Sequence, residues 1–467
     1  MQDKNVTFAP KVENMTVKEQ LKILFALLLL LTVSCEKRNQ SSENEPKGQD
    51  STQVQPILQK ANTTVVYECN ERLFAKEQAF NFIRNYLPVL QEMQVNVLWL
   101  MPIHPRGTVK SVNSPYCVKD YYAIDPAFGT MEDLRALVSD CHQRGMFVIL
   151  DWVANHTAWD NPWYVEHPEW YTYPSGEETN WKDISPLNYN KTEVQQAMQE
   201  AMLYWVREAD IDGYRCDYAE GVPSSFWKTA IDAIRREKKT AILLAEASNT
   251  TLYDAGFDWM YSWNYLGAIQ KLFRTGSSLT NLYSVSSGEL ASTPAGKERL
   301  RYVTTHDASS ETAPSTYYHT AQGELAASCL TFFLGGVPMI YSSQEIGNMT
   351  QLNFFNYNIK SFSPNNATTK AYIALMKAYV ATAEARFGEV INCSSGQVAM
   401  FIRKQDTKEV LVAVNTTSNE QTITLPEQWQ RVSCTDLLTD TQIAAPETLI
   451  LSAYEYKVYL NTSTDRK

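Results

Sequence analysis

The sequence predicts an α/β fold: a (β/α)8 TIM barrel with a short inserted subdomain after its third strand and a C-terminal antiparallel β-domain. Three observations carry this prediction. Short apolar runs alternate with amphipathic helical stretches from about residue 63 to residue 345, the pattern of a parallel sheet with crossover helices. Several of those runs end in a carboxylate, Asp151, Asp217 and Glu246 among them, and barrels of this kind keep their working residues at the C-terminal ends of the strands. Beyond about residue 386 the chain changes to short segments rich in β-branched and aromatic residues, separated by turn formers. A doubly wound open sheet would share the alternation, but its glycine-rich phosphate turn is missing from the sequence.

The 467 residues leave room for one barrel and a smaller domain. A content of 44% hydrophobic and 20% charged residues is ordinary for a globular chain. The formal net charge of -11, without a basic run, argues against nucleic acid, whose phosphates need a Lys/Arg footprint. Eight cysteines contain no Cys-x-x-Cys pair that would suggest zinc. Cys216 and Cys329 stand in apolar surroundings and are expected to be small buried hydrophobes. Of the abundant aromatics, 26 Tyr, 17 Phe and 11 Trp, most are expected in the core, but such rings also stack on the apolar faces of sugars.

Taken in order, residues 1–35 read as a leader and lipoprotein signal peptide. An apolar run over 23–33 follows Lys18 and Lys22 and is too short to span a membrane. It ends in Leu31-Thr32-Val33-Ser34-Cys35, which resembles a bacterial lipobox with Cys35 as the lipidated residue. Residues 36–60 are polar and read as a disordered tether. The expected location is extracytoplasmic, periplasmic or cell-surface, with a lipid anchor in a bacterial membrane.

The barrel is expected over 61–385, with its insert at about 156–190, and a C-terminal β-sandwich domain over 386–467. Val65-Val66-Tyr67-Glu68 is the first strand candidate. Phe80, Ile83, Leu87, Leu90 and Met93 then mark one helical face, which Pro88 should kink or break near Leu87. Val97–Met101 reads as a buried strand. Thr130-x-x-Asp133 forms a capping box before a helix stopped at Gly145, and Phe147–Asp151 is the next buried strand. Thr192-x-x-Gln195 is expected to cap a helix that delivers the chain to Ile211–Asp217. Ala241–Glu246, Arg301–Asp307 and Gly336–Tyr341 repeat the strand pattern. In the C-terminal region Val398–Ile402, Val410–Val414, Gln421–Leu425 and Tyr454–Leu460 are the strand candidates.

Within Ile211–Asp217, Arg215 and Asp217 lie two apart and share one face of a strand. The guanidinium is expected to hold the carboxylate ionised and lower its pKa. A structural ion pair and a catalytic acid are both consistent with this stretch alone.

Four separated motifs, taken together, go further. Asp151-Trp-Val-Ala-Asn155-His156, Gly213-Tyr-Arg215-Cys-Asp217, Glu246 after an apolar strand, and His306-Asp307 stand in the order seen in α-amylase-family glycoside hydrolases (glycoside hydrolase family 13), which this chain resembles over roughly residues 63–460. Ser114-Pro-Tyr116 through Gly129, Leu187-Asn188 and Gly336-Val-Pro338 through Glu345 resemble further family segments. The resemblance implies a retaining hydrolase of α-glucosidic bonds in starch-derived glucans or maltooligosaccharides. Asp217 would be the nucleophile, Glu246 the general acid/base and Asp307 the third acid on the sugar hydroxyls. Tyr116, His156, Arg215 and His306 would bind substrate. Two other readings stay open: transglycosylation or isomerisation of α-glucans with the same acids, and an inactive lipid-anchored glucan-binding protein. The oligomeric state is left open.

The departures are specific. Thr305 stands where the family usually has Asn, Glu220-Gly221 where many members carry Lys-His, and Ser343 in place of a common Gly. No cofactor is expected to be required. For calcium, Asn155 matches one family ligand, but Pro186 replaces an acidic one. Of Trp159, Trp163, Trp170 and Trp181 in the insert, most are expected to pack and some to line a cleft.

Overall fold

A computed structural model describes residues 63–173, 181–383 and 385–461. The leader, Cys35 and the tether expected over 36–60 lie outside the described residues. Eight parallel strands close a barrel. In chain order they are β1 (Val66–Cys69), β2 (Val97–Leu100), β3 (Phe147–Trp152), β6 (Gly213–Cys216), β7 (Ile242–Ala245), β8 (Trp259–Met260), β9 (Glu298–Arg301) and β10 (Val337–Tyr341), the last pairing with β1. Two short strands of the insert, β4 (His156–Ala158) and β5 (Ile184–Pro186), form an antiparallel pair after β3. Nearly every strand residue is buried, as expected of a parallel sheet covered by helices outside and packed with side chains inside.

Several elements differ from the sequence reading. The helix Ala79–Glu92 runs through Pro88 instead of stopping near Leu87. Phe80, Ile83, Leu87 and Leu90 are buried on both sides of the proline, so tertiary packing holds the two halves together despite the lost hydrogen bond. Thr192 is the first helical residue and not the cap; Lys191 takes the cap position, and Gln195 reaches back to the Tyr189 carbonyl at 2.7 Å. The strand expected over Arg301–Asp307 ends at Arg301. Thr305 then caps a helix that begins at His306, its hydroxyl accepting the Ala308 N–H at 3.1 Å. Strand β8 has two residues, too few for a periodic signal. The capping box of Thr130 and Asp133 is formed as expected.

At the N-terminal ends of the barrel strands a repeated device sets the register. Asn96, Asp212 and Asp258 each directly precede a strand, and each accepts a backbone N–H of the neighbouring strand: Val65 at 2.9 Å, Val148 at 2.7 Å and Leu243 at 2.9 Å. The two acids are also paired with cations, Asp212 with Lys238 at 2.9 Å and Asp258 with Arg235 at 2.7 Å. His142 Nε2 adds a bond to Asp212 at 2.8 Å.

The C-terminal region forms a six-stranded antiparallel sheet that includes the paired strands β12 (Val398–Gln405) and β13 (Lys408–Asn415), and a separate two-stranded sheet. Alternation in β12 and β13 serves two cores. Ala399, Phe401, Val410 and Val412 join the main core, while Val398, Met400, Ile402 and Leu411 pack with Ile423, Trp429 and Leu451 in a second. The helix Ala321–Phe333, buried from Gly323 onward, lies between the barrel and β13. Among the described residues no helix is long and apolar enough to cross a membrane.

Gly213 opens β6 with φ 141°, and a Cβ there would stand 2.0 Å from the Ile242 carbonyl oxygen. Gly213→Ala is therefore expected to destabilise the protein by about 3 kcal/mol or more, measured as a lowered thermal or urea midpoint. An unchanged midpoint would show that β6 and β7 can move apart at no cost.

Candidate active site

Strands β3, β6 and β7 are neighbours, and Asp151 and Arg215 are direct partners in the ladder. Arg215 is fully buried at the C-terminal end of β6. Its Nη1 donates to Asp151 Oδ1 at 2.8 Å and to Asp217 Oδ1 at 2.9 Å, and its Nη2 lies 2.9 Å from Glu246 Oε2. Nε donates to the Tyr261 hydroxyl at 3.2 Å. The rings of Trp99, Tyr116 and Tyr261 surround the guanidinium at 5.1, 5.6 and 5.5 Å. One cation thus gathers a carboxyl from each of three adjacent strand ends.

A second branch begins at Asp151, whose Oδ2 accepts Trp99 Nε1 at 3.1 Å and the Tyr116 hydroxyl at 3.0 Å. Because Tyr116 spends its proton on Asp151, its oxygen accepts from His306 Nε2 at 2.7 Å. His306 Nδ1 donates to Glu68 at the end of β1. With both ring nitrogens donating, His306 is an imidazolium. Burial alone would lower its pKa, but the charges of Asp307 and Glu68 outweigh burial and raise it to about 9. His306 Nε2 also lies 3.3 Å from Asp307.

Burial pushes the carboxyls of this cluster upward. It raises Glu246 to about 7, with Asp217 and Asp307 adding to the effect against the pull of Arg215. Asp217 and Asp151 rise to about 6, again through burial opposed by Arg215. The sequence reading expected Arg215 to carry Asp217 below the ordinary carboxylate range. Its influence has that sign, but desolvation and the neighbouring carboxylates exceed it.

His156 is buried beside this network. Its Nε2 donates to the Tyr116 carbonyl at 3.2 Å and its Nδ1 accepts from Asn155 at 3.2 Å, and burial lowers its pKa to about 4, so the ring is neutral. Tyr116, His156, Asp217, Glu246, His306 and Asp307 all face one cleft of about 660 Å³. Arg215 lies beneath it. The structure thus brings together every site residue read from the sequence within the described part of the chain, leaving Cys35 outside it.

The sequence reading assigned no role to Asp151 or Glu68, although both end apolar strands as Glu246 does. Trp181 lines the cleft, while Trp163 and Trp170 pack edge to face on one another and Trp159 is buried against the insert. The hydroxyl of Thr305 is engaged as a helix cap, a service Asn would perform equally. Pro186 pairs with His156 in the insert's ladder, and among the described residues there is no group of three or more His, Cys, Asp or Glu that could hold a metal ion.

Comparison with known proteins agrees with this geometry. Residues 80–184 match the family model described as "Alpha amylase, catalytic domain". Alpha-amylase MalA of Haloarcula japonica is 27% identical over 391 residues, which are 78% of this chain and 57% of MalA. The intracellular maltogenic amylase of Bacillus subtilis is 35% identical over 177 residues, 34% of this chain and 29% of that protein. The chain therefore spans a little over half, or less, of the length of these relatives. Among solved structures, the maltogenic α-amylase AmyB of Thermotoga neapolitana superposes with a TM-score of 0.76 at 24% identity, covering 86% of this chain and 99% of AmyB. Over residues 80–184 the chain is thus similar to the α-amylase catalytic domain, and it shares its fold with AmyB.

Proposed function

We propose that this protein is a retaining α-glucoside hydrolase acting on starch-derived glucans or maltooligosaccharides. The observation that carries the reading is the single buried guanidinium holding Asp217 and Glu246 side by side. Two carboxyls on neighbouring strand ends suit the separation of about 5 Å that double displacement needs. Inversion would demand a wider gap with room for water between them.

The chemistry follows from the two environments. Asp217, ionised, attacks the anomeric carbon as the glycosidic C–O bond breaks, and the departing oxygen takes the proton of Glu246. Both the Tyr218 N–H, at 2.8 Å, and Arg215 meet Glu246 Oε2, which leaves Oε1 to carry that proton. Water then gives a proton back to Glu246 as it attacks the same carbon, and the bond to Asp217 breaks. Asp307 presents its carboxyl to the sugar hydroxyls, while His306 and neutral His156, whose ring nitrogens are engaged within the protein, line the cleft with the Tyr116 ring. No step needs a metal. Lipid attachment at Cys35 belongs to this proposal and is tested separately by mass determination of the mature protein and by Cys35→Ser, which should release it from membranes.

Asp217→Asn is expected to lower turnover of maltooligosaccharides by about 10⁴-fold or more while the thermal midpoint stays near that of the parent. A variant cleaving at the parent rate would overturn the assignment. The pH dependence carries a second test. Asp217 must be ionised and Glu246 protonated, so kcat/KM should fall below about pH 6 as Asp217 takes up its proton and above about pH 7 as Glu246 loses its own. A rate that stays flat through both limbs would contradict these roles.

A further inference from the structure

The loop after β6 is one place where this chain departs from the family pattern, and Tyr218, Glu220 and Gly221 in it each have a visible use. Tyr218 directly follows Asp217, and its N–H holds Glu246. Its backbone is in the left-handed region with φ 40°, uncommon for a bulky residue. The ring is thrown outward onto the cleft rim and is 46% exposed. Trp181, 53% exposed, meets it edge to face with centroids 5.8 Å apart, and both rings line the cleft of Asp217 and Glu246.

Gly221 makes the space for this ring. A Cβ on Gly221 would lie 2.4 and 2.5 Å from ring carbons of Tyr218 and 2.7 Å from Asn155 Oδ1. Glu220 turns the other way and accepts the N–H groups of Ser248 and Asn249, the second at 2.7 Å. It thereby ties the loop after Glu246 to the loop after Asp217. The pair Glu220-Gly221 thus fixes an aromatic edge next to the carboxyl that handles the leaving group.

We infer that Tyr218, with Trp181, is the platform for the sugar ring on the leaving-group side of the scissile bond. Tyr218 would therefore determine which sugars depart and which return as acceptors. The oxygen protonated by Glu246 belongs to the departing sugar, so that ring must leave past the residues flanking Glu246. Tyr218 is the flanking residue with an open aromatic face, and sugars present C–H faces to such rings. In the reverse direction an acceptor hydroxyl gives its proton to Glu246 and bonds to the anomeric carbon as the Asp217 ester bond breaks. A ring held on Tyr218 competes with water for that step. This inference rests on the retaining-hydrolase reading above.

The test compares two substrates in the full chain. A maltooligosaccharide places a sugar on the leaving-group side, whereas α-maltosyl fluoride leaves as fluoride and has no ring there. Tyr218→Ala is expected to lower kcat/KM for the oligosaccharide about 10-fold more than for the fluoride, mostly through KM. Transfer to added maltose, relative to hydrolysis, should fall by a similar factor. Tyr218→Phe should restore both, since it keeps the ring. Equal losses on the two substrates, or an unchanged transfer ratio, would overturn the platform and leave Tyr218 as a structural support for Glu246. Absence of turnover on both substrates by the parent protein would overturn the hydrolase reading, and the platform with it.

Discussion

Arg215 is the constraint on which the rest of the site depends. A buried guanidinium is costly to desolvate and persists only with close, well-oriented anions. Here the anions are Asp151, Asp217 and Glu246, from β3, the end of β6 and the end of β7. Meeting all three fixes the order and register of those strands as firmly as their backbone ladders do. The same contact settles the electrostatics. Among the described residues Asp151, Asp217, Glu246 and Glu68 share the cations Arg215 and His306, and burial raises the pKa of all four, that of Glu246 to about 7 with Asp217 and Asp307 adding to the effect. A carboxyl that keeps its proton near neutral pH is what a general acid requires.

Much of this was legible in the sequence because the signals were local. Six barrel strands were written as apolar runs, a seventh, Glu298–Arg301, overlaps its expected run only at Arg301, and acids at strand ends marked the C-terminal rim. The eighth, Trp259–Met260, was not, because two residues carry no period. The stretch before His306 looked like a strand by composition, yet Thr305 is a helix cap, and local hydrogen bonding outweighed β-propensity. Asp151 and Glu68 ended strands in plain view, but their tasks depend on Tyr116 and His306, far away in the chain. The position of the Tyr218 ring could not be read at all. It follows from a left-handed backbone and from space left by a glycine three residues later.

The two ends of the barrel use acids for opposite purposes. At strand starts Asp212 and Asp258 accept neighbouring backbone N–H groups and face lysine or arginine, so their charges are spent on architecture. At strand ends Asp217 and Glu246 share one cation and open onto a cleft. The first set holds the frame through contacts that do not involve loops such as 218–221, so a barrel can change specificity in its loops without being rebuilt.

The sheet built on β12 and β13 has a mechanical consequence. One face of each strand belongs to the barrel's core and the other to the C-terminal core. Losing either core would strip one face of the same strands, so neither can melt while leaving its neighbour intact. The catalytic and C-terminal portions are therefore coupled into one cooperative unit, and heat should take them apart in a single transition.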